Sequence, residues 1–361
     1  MKIAVSAAEV SGDLIASSVI KSLKNLDQKV QIEGIAGEKM QTAGCKRLWN
    51  MSDVNVMGYL EVLKKLPQIL KLRKSIIEHF SKNKPDVFVG FDSPDFNFAI
   101  ETSLKQNKIK TIHCVSPSVW AWRESRIQKI IKSTDLMLCL FPFEVSFYER
   151  YSLRAKFIGH PLADLLSPRK NYKKTGKILI MPGSRESEIK KILPTLIEAG
   201  QLILKKDKTL NLHISLANSD HESWVRDQIG NQNISISIGD SHDQLRNSDC
   251  VMIASGTATL EALLIGVPMV VVYKLSSITY AIASRLVKSK FVSLPNVLTN
   301  KMLVPELIQK DANPADIADN VMQVLSSDLE KLADEFNKVH KTLQQNASEK
   351  AANIIHEFAN E

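Results

Sequence analysis

Asp92 is the residue of this chain best placed to act as a base. It follows the apolar run DVFVGF (86–91), where a strand of an open sheet would deliver its last side chain to the ligand-binding edge. A carboxylate there can take a proton from a hydroxyl group. The structural alternative is an aspartate that folds its own turn onto backbone amides. Asp95 follows Pro94 and precedes an apolar helical run, so helix capping accounts for it. Two further turns suit anions. In VMIASGTATLEALLIGVP (251–268) a strand ends at Ala254, and Ser255, Gly256 and Thr257 make a tight turn into a helix. Backbone N–H groups at such a turn can approach a diphosphate. Glu261, one helical turn beyond Thr257, is placed to accept hydrogen bonds from two ribose hydroxyls. Alternatively, Thr257 is a cap and Glu261 a solvated helix residue. In KILIMPGSRESEIKK (177–191), Ser184 and Arg185 follow Gly183 at the start of a helix. An arginine there opposes the helix dipole unless an anion joins it, or unless it simply pairs with Glu186 or Glu188. Glu9, Ser11, Gly12 and Asp13 occupy the first strand-to-helix turn. They suit the hydroxyls or phosphate of a second ligand, or Ser11 or Asp13 caps the helix that follows. That turn lacks GxGxxG, which weakens a dinucleotide reading. His113 and His160 read as core histidines without a metal-ligand cluster, so neither metal nor cofactor is expected.

These turns must be carried by strands and helices in alternation. KIAVSA, KPDVFVGF, KIKTIHCV, LMLCLF and AKFIG read as strands in the first half. KILIMPG, LNLHISLA, ISISIG, CVMIAS and VPMVVVY read as strands in the second. Strands apolar on both faces belong to parallel sheets covered by helices, so the fold class is α/β with two Rossmann-like doubly wound domains. The polar, basic stretch HPLADLLSPRKNYKKTGK, with Pro161 and Pro168, marks the boundary near residue 165. The expected division is 1–165, 166–325, and a helical tail over 326–361 that packs back on the first domain or onto a partner subunit in a homodimer. Asn313-Pro314 reads as a cap and first-turn proline, and Ser327 and Ser348 as starts of two more helices.

Of 361 residues, 44% are hydrophobic and 24% charged, which describes an ordinary globular chain with room for two cores. The four cysteines form no CxxC pair, which excludes the usual zinc spacings and suits a reducing compartment. The sequence enters a strand pattern at once, so no secretory signal is expected. No apolar run approaches the roughly 20 residues of a spanning helix. The net charge of +8 favours anionic partners. Aromatics are only 6% and the positive charge lies among aliphatic residues, which argues against nucleic acid. Basic residues are interleaved with apolar ones in GYLEVLKKLPQILKLRKSIIEHF (58–80), against only Glu61 and Glu78. There Leu60, Val62, Leu63, Leu66, Ile69 and Leu70 alternate with Lys64, Lys65, Lys71, Arg73 and Lys74. Such a segment can lie on an anionic membrane, each basic residue adding about 1 kcal/mol. The alternative is a core-facing amphipathic helix with a solvated basic face.

Taken together, AEVSGD, GFDSPDFN, VSPSVWAWRESR, PFEVSFY, IGHPLAD, MPGSRESEI, ASGTATLE and VSLPNVLTNKMLVPELIQ resemble the lipid-A-disaccharide synthase family, in the family's order from Glu9 to Gln309. The resemblance implies two domains facing across a cleft (the GT-B arrangement) and a metal-independent, inverting transfer. A 2,3-diacylglucosamine would pass from UDP to 2,3-diacylglucosamine 1-phosphate, forming a β(1→6) disaccharide and UDP. It implies Asp92 as base, Arg185, Glu261 and Asn296 at the donor site, and membrane contact by the helix beginning near Leu60. It also implies a location on the cytoplasmic face of the inner membrane. Ser93 departs from the family pattern, where alanine is more usual.

Overall fold

A computed structural model describes residues 1–54, 59–122, 124–169, 174–287 and 289–361, apart from the side chains of 59–64, 277, 278, 282, 283 and 286. The chain forms two units: Met1–Asp164 with Leu343–Glu361, and Leu165–Thr342.

The first unit is built on a parallel sheet of β1 (Lys2–Ala7), β2 (Gln31–Ala36), β3 (Lys46–Asn50), β4 (Val87–Phe91), β5 (Lys110–Cys114), β6 (Leu136–Cys139) and β7 (Arg154–Phe157). Their order is β3-β2-β1-β4-β5-β6-β7. The chain therefore starts in mid-sheet, runs outward through β3, and returns to lay β4 on the other flank of β1. Ala7 is in register with Phe91, so the turns that follow β1 and β4 emerge side by side. The second unit repeats the plan with β8 (Lys177–Met181), β9 (Asn211–Leu216), β10 (Ile234–Ile238), β11 (Cys250–Ala254), β12 (Met269–Tyr273) and β13 (Glu306–Ile308), ordered β10-β9-β8-β11-β12-β13. Ile253 pairs with Met181, placing the turns after β8 and β11 together. Both pairs of turns lie where the strand order reverses, the position at which open α/β sheets bind ligands.

The central strands β4 and β11 are buried along their whole length, as helices on both faces of a parallel sheet require. Strands β2, β3 and β13 are additions to the sequence reading. Glu33 and Gly34 interrupt the apolar pattern of β2, β3 reads KRLWN, and β13 has only three residues. The last two are edge strands, where polarity is tolerated and the pattern fades.

Three helix starts near the C-terminus differ in outcome. Asn313 caps Pro314–Ser326 by accepting the Asp316 N–H at 3.0 Å. Ser327 instead closes that helix, and Asp328 caps Leu329–Leu343 through the Lys331 N–H. Ser348 lies inside the final helix Ala347–Asn360. The start of that helix is held by Asp164, whose carboxylate accepts the N–H groups of Gln345, Asn346 and Ala347 at 3.1, 3.0 and 2.6 Å. The IGHPLAD motif thus anchors the final helix within the first unit, while the preceding helix stays with the second unit through Thr342, beyond residue 325.

Candidate functional site

In the first unit, Asp92 stands at the end of β4 on a turn built from two consecutive left-handed residues, Asp92 (φ 55°) and Ser93 (φ 44°). Each costs on the order of 1 kcal/mol for an L-residue, so something must hold the turn. Fully buried Asn97 does so: its Nδ2 donates to the Asp92 carbonyl at 2.8 Å and its Oδ1 accepts from the Ser6 hydroxyl at 2.6 Å. The Asp92 carboxylate accepts the Ser93 N–H at 2.8 Å and the Ser11 hydroxyl at 2.7 Å. Gly12 lets the Val10–Leu26 helix approach this turn, since a Cβ there would come within 2.9 Å of the Phe91 carbonyl oxygen. Glu9 joins from the same helix start and accepts the Ser93 hydroxyl at 2.9 Å. The serine that departs from the family pattern thus ties Glu9 to the Asp92 turn. Asp92 itself is only partly buried, and stays accessible to a hydroxyl.

Asp13 has a different role from ligand binding. Its buried carboxylate accepts the N–H groups of Gly37, Lys39 and Met40 at 3.0, 3.2 and 3.1 Å. It holds the start of the short Glu38–Thr42 helix, and neither it nor Ser11 caps its own helix. Asp95 is likewise not a cap, since Ser93 takes that position. Asp95 lies exposed in the first turn, paired with Arg126.

The motifs VSPSVW and PFEVSFY meet in the same unit. The fully buried Glu144 accepts the Phe141 N–H at 3.0 Å, and the Ser116 and Tyr148 hydroxyls lie 2.8 Å apart beside it. Burial pushes the Glu144 carboxyl up from 4.5 to about 7, outweighing the hydrogen bonds from Phe141 and Ser116 that pull it down. Between these values the folded protein keeps a proton that the unfolded chain has released. This contribution to stability is full below pH 4.5 and is lost as the pH rises through about 7. Over that interval the stability of the natural protein should fall relative to Glu144→Gln by about 3 kcal/mol in denaturant titrations. A pH-independent difference would contradict this. Buried His160, pushed down to about 4, acts in the opposite sense, its contribution being lost as the pH falls from 6.5 through about 4; the paired comparison removes it. His113 is a core residue bonded to Glu101 at 2.7 Å.

In the second unit, Gly183, Ser184, Arg185, Ser255, Gly256, Thr257 and Glu261 line one cavity of about 330 Å³, at the lower end of the range of small-molecule sites. Gly183 takes φ +107°, and a Cβ would come within 2.7 Å of a Glu188 carboxylate oxygen, so only glycine makes this turn comfortably. Arg185 is the residue before the first turn of the Glu186–Lys206 helix. Its largely exposed guanidinium pairs with Glu188 at 3.0 Å, a surface pair cheap to exchange for an anion. Gly256 precedes the Thr257–Ile265 helix, and a Cβ there would meet nothing within 4 Å among the described residues. Thr257 is therefore the first helical residue and not the cap. The Ser255 hydroxyl is already used, donating to the Val292 carbonyl at 2.7 Å.

Asn296 does not reach this cavity. It is fully buried, with Nδ2 donating to the Val304 carbonyl and Glu306 at 2.9 and 2.8 Å, and Oδ1 accepting the Leu303 and Val304 N–H groups. Glu306 also accepts from the Val292 and Ser293 N–H groups. SLPN and LVPE are thus two halves of one clamp, which braces the turn after β11 through Ser255. Two residues of this region carry no signal in the sequence. Ser215, near the end of β9, lines the cavity, and its hydroxyl is buried with no hydrogen-bond partner among the described residues. His242 lies 3.0 Å from the Glu261 carboxylate.

The basic segment forms the Tyr59–Asn83 helix, with Pro67 inside it. The side chains of Leu60, Val62, Leu63 and Lys64 fall outside the described residues. Leu66 and Leu70 are 42% and 49% exposed and lie one turn apart. Ile69 instead packs against the core with Ile76 and Phe80, and Lys65 is half-buried. Arg73 turns inward as well, 5.3 Å from the Phe96 ring centre and bonded to the Asp95 carbonyl. Among the described residues no helix is long and apolar enough to cross a membrane.

The comparisons with known proteins agree with one another. A family model described as lipid-A-disaccharide synthetase matches residues 3–358. The lipid-A-disaccharide synthase of Hahella chejuensis is 40% identical over 373 residues, covering 99% of this chain and 94% of that protein. Among solved structures, an S. aureus MnaA–UDP co-structure has TM-score 0.66 at 14% identity, covering 99% of this chain and 97% of that one. The glycosyltransferase of kitacinnamycin has TM-score 0.64 at 14% identity, covering 99% and 98%. At such identities the two structures establish the fold, a pair of parallel-sheet α/β domains as in GT-B glycosyltransferases. With the family model matched across nearly its whole length, this chain belongs to the lipid-A-disaccharide synthase family.

Proposed function

We propose that the chain transfers 2,3-diacylglucosamine from UDP to the 6-hydroxyl of 2,3-diacylglucosamine 1-phosphate, with inversion, using Asp92 as the base and the second-unit cavity as the UDP site. The observation that carries the reading is the placement of both sets of residues at the strand-order reversals of their sheets. In the donor site, the Gly183 and Gly256 turns bring backbone amides to the diphosphate, and Arg185 exchanges Glu188 for a phosphate oxygen. Glu261 accepts from the ribose hydroxyls. As the glycosidic bond to UDP breaks, charge grows on the diphosphate, and Arg185 stabilises it there more than in the ground state. Asp92, fixed by Ser11 and the Ser93 N–H, removes the proton of the attacking hydroxyl as the new C–O bond forms. Glu9 and Ser11 border the place of the acceptor.

The acceptor's acyl chains keep it in a bilayer, since burying each CH₂ is worth about 0.8 kcal/mol. Leu66 and Leu70, with the neighbouring Lys71 and Lys74, form the part of the helix that meets an anionic membrane on its cytoplasmic face. Leu66→Ser with Leu70→Ser should release the protein from vesicles containing phosphatidylglycerol in flotation assays and leave its melting temperature within a few degrees. Retention on vesicles, or a collapse in thermal stability, would show that these leucines serve the fold instead. The reaction itself is tested by mass spectrometry of the products formed from the two diacylglucosamine substrates.

A further inference from the structure

We infer that His242 is a positioning residue of the nucleotide site: it holds the Glu261 carboxylate in the orientation that receives a ribose. This rests on the reading of Glu261 as the ribose-binding residue. The Nε2 of His242 lies 3.0 Å from Oε2 of Glu261. A carboxylate has two oxygens with about four acceptor sites, so a donor fixed on Oε2 leaves Oε1 for the ligand and stops the group from rotating.

The short Ser241–Arg246 helix that carries His242 is itself firmly set. Asp240, the residue before it, accepts from the Ser237 hydroxyl at 2.6 Å and from Gln244 Nε2 at 2.7 Å. Ser237 in turn bonds His213 at 2.8 Å, and Gln244 accepts from Lys177 at 2.6 Å. The support runs from β8, β9 and β10 into this helix and so to the imidazole. Within that network His242 stands apart. Its side chain is 44% exposed, so its removal leaves no buried group unpaired within the core. Ser241, its neighbour, lines the same cavity as Glu261. A partly exposed histidine on a braced helix, aimed at a carboxylate on the cavity wall, fits orientation of that carboxylate better than support of the fold.

The test compares UDP with 2′,3′-dideoxy-UDP by calorimetry on the full-length protein. The natural protein should prefer UDP, and Glu261→Ala should erase the preference. His242→Phe should weaken UDP roughly fivefold, the scale of a part-exposed charged contact, while leaving dideoxy-UDP unchanged. His242→Gln, whose amide nitrogen can stand where Nε2 stands, should restore most of the preference. If Glu261→Ala erases the preference and His242→Phe does not, the inference fails while the donor site stands. Equal weakening of both nucleotides by His242→Phe would also overturn it, as a general structural effect. If even Glu261→Ala keeps the preference, the ribose assignment itself fails, and the role of His242 with it.

Discussion

Asp92→Asn should lower turnover about 10²–10⁴-fold, or roughly 3–5 kcal/mol of barrier, with UDP affinity nearly unchanged. The substitution isolates basicity because the turn should accept it. Asparagine tolerates the left-handed backbone at this position (φ 55°) better than most residues. Its Oδ1 still accepts the Ser93 N–H, and the Ser11 hydroxyl can turn to accept from its amide. Asn97 and Ser6 hold the turn from beneath whichever side chain is present. Asp95→Asn is the internal control: it keeps the shape of an exposed first-turn residue and gives up only the pair with Arg126, so activity should change little. Inactivity of the Asp95 variant with normal turnover by the Asp92 variant would move the base to the other carboxylate.

Arg185→Ala should reduce kcat/KM about 10²–10³-fold, the scale seen when one preorganised charge-stabilising donor is removed. The side chain is 79% exposed and its partner in the structure is Glu188 one turn away, so folding should be unaffected. The loss should be specific to the diphosphate: UDP should bind more weakly, and uridine should bind as it does to the natural protein. Arg185→Lys should recover only part of the activity, because an ammonium cannot match the planar two-point contact of a guanidinium with phosphate oxygens. If calorimetry shows UDP and uridine equally affected, or kinetics are unchanged, the guanidinium is a surface partner of Glu188 and nothing more.

Much of the fold was legible because parallel strands buried on both faces leave unbroken apolar runs, and β4 and β11 are such strands. The edge strands β3 and β13 were not, since short or charged edges carry no such run. The turns at Asp92, Gly183 and Gly256 could be read from strand-to-helix transitions in one stretch of chain. What could not be read locally was who else wanted the polar groups. Asp13 is taken by three amides some 24 to 27 residues away, and Asn296 by the loop that ends in Glu306. Both belong to motifs of the family, yet their burial gives them to the scaffold. The reverse holds for Asn97, Ser215 and His242. An asparagine in an apolar helix start and a histidine in a polar helix are ordinary in sequence, and gain meaning only when the fold brings a partner to them; a serine in a strand does so only when the fold buries it beside a cavity. The helix from Tyr59 divided along its length for the same reason. The sequence left a membrane-surface and a core-facing reading open, and only packing distinguished Ile69, Ile76 and Phe80 from Leu66 and Leu70.

The activity proposed for this chain joins two acylated glucosamines by one inverting displacement. The test incubates the protein with UDP-2,3-diacylglucosamine and 2,3-diacylglucosamine 1-phosphate in detergent, then analyses the products by mass spectrometry and by proton and carbon NMR. The expected products are UDP and a tetraacylated disaccharide 1-phosphate in equal amounts, with the large anomeric coupling of a β linkage and the carbon shift of a substituted 6-position. UDP released with free diacylglucosamine and no disaccharide, or a disaccharide with the α-anomeric coupling, would contradict the proposed activity.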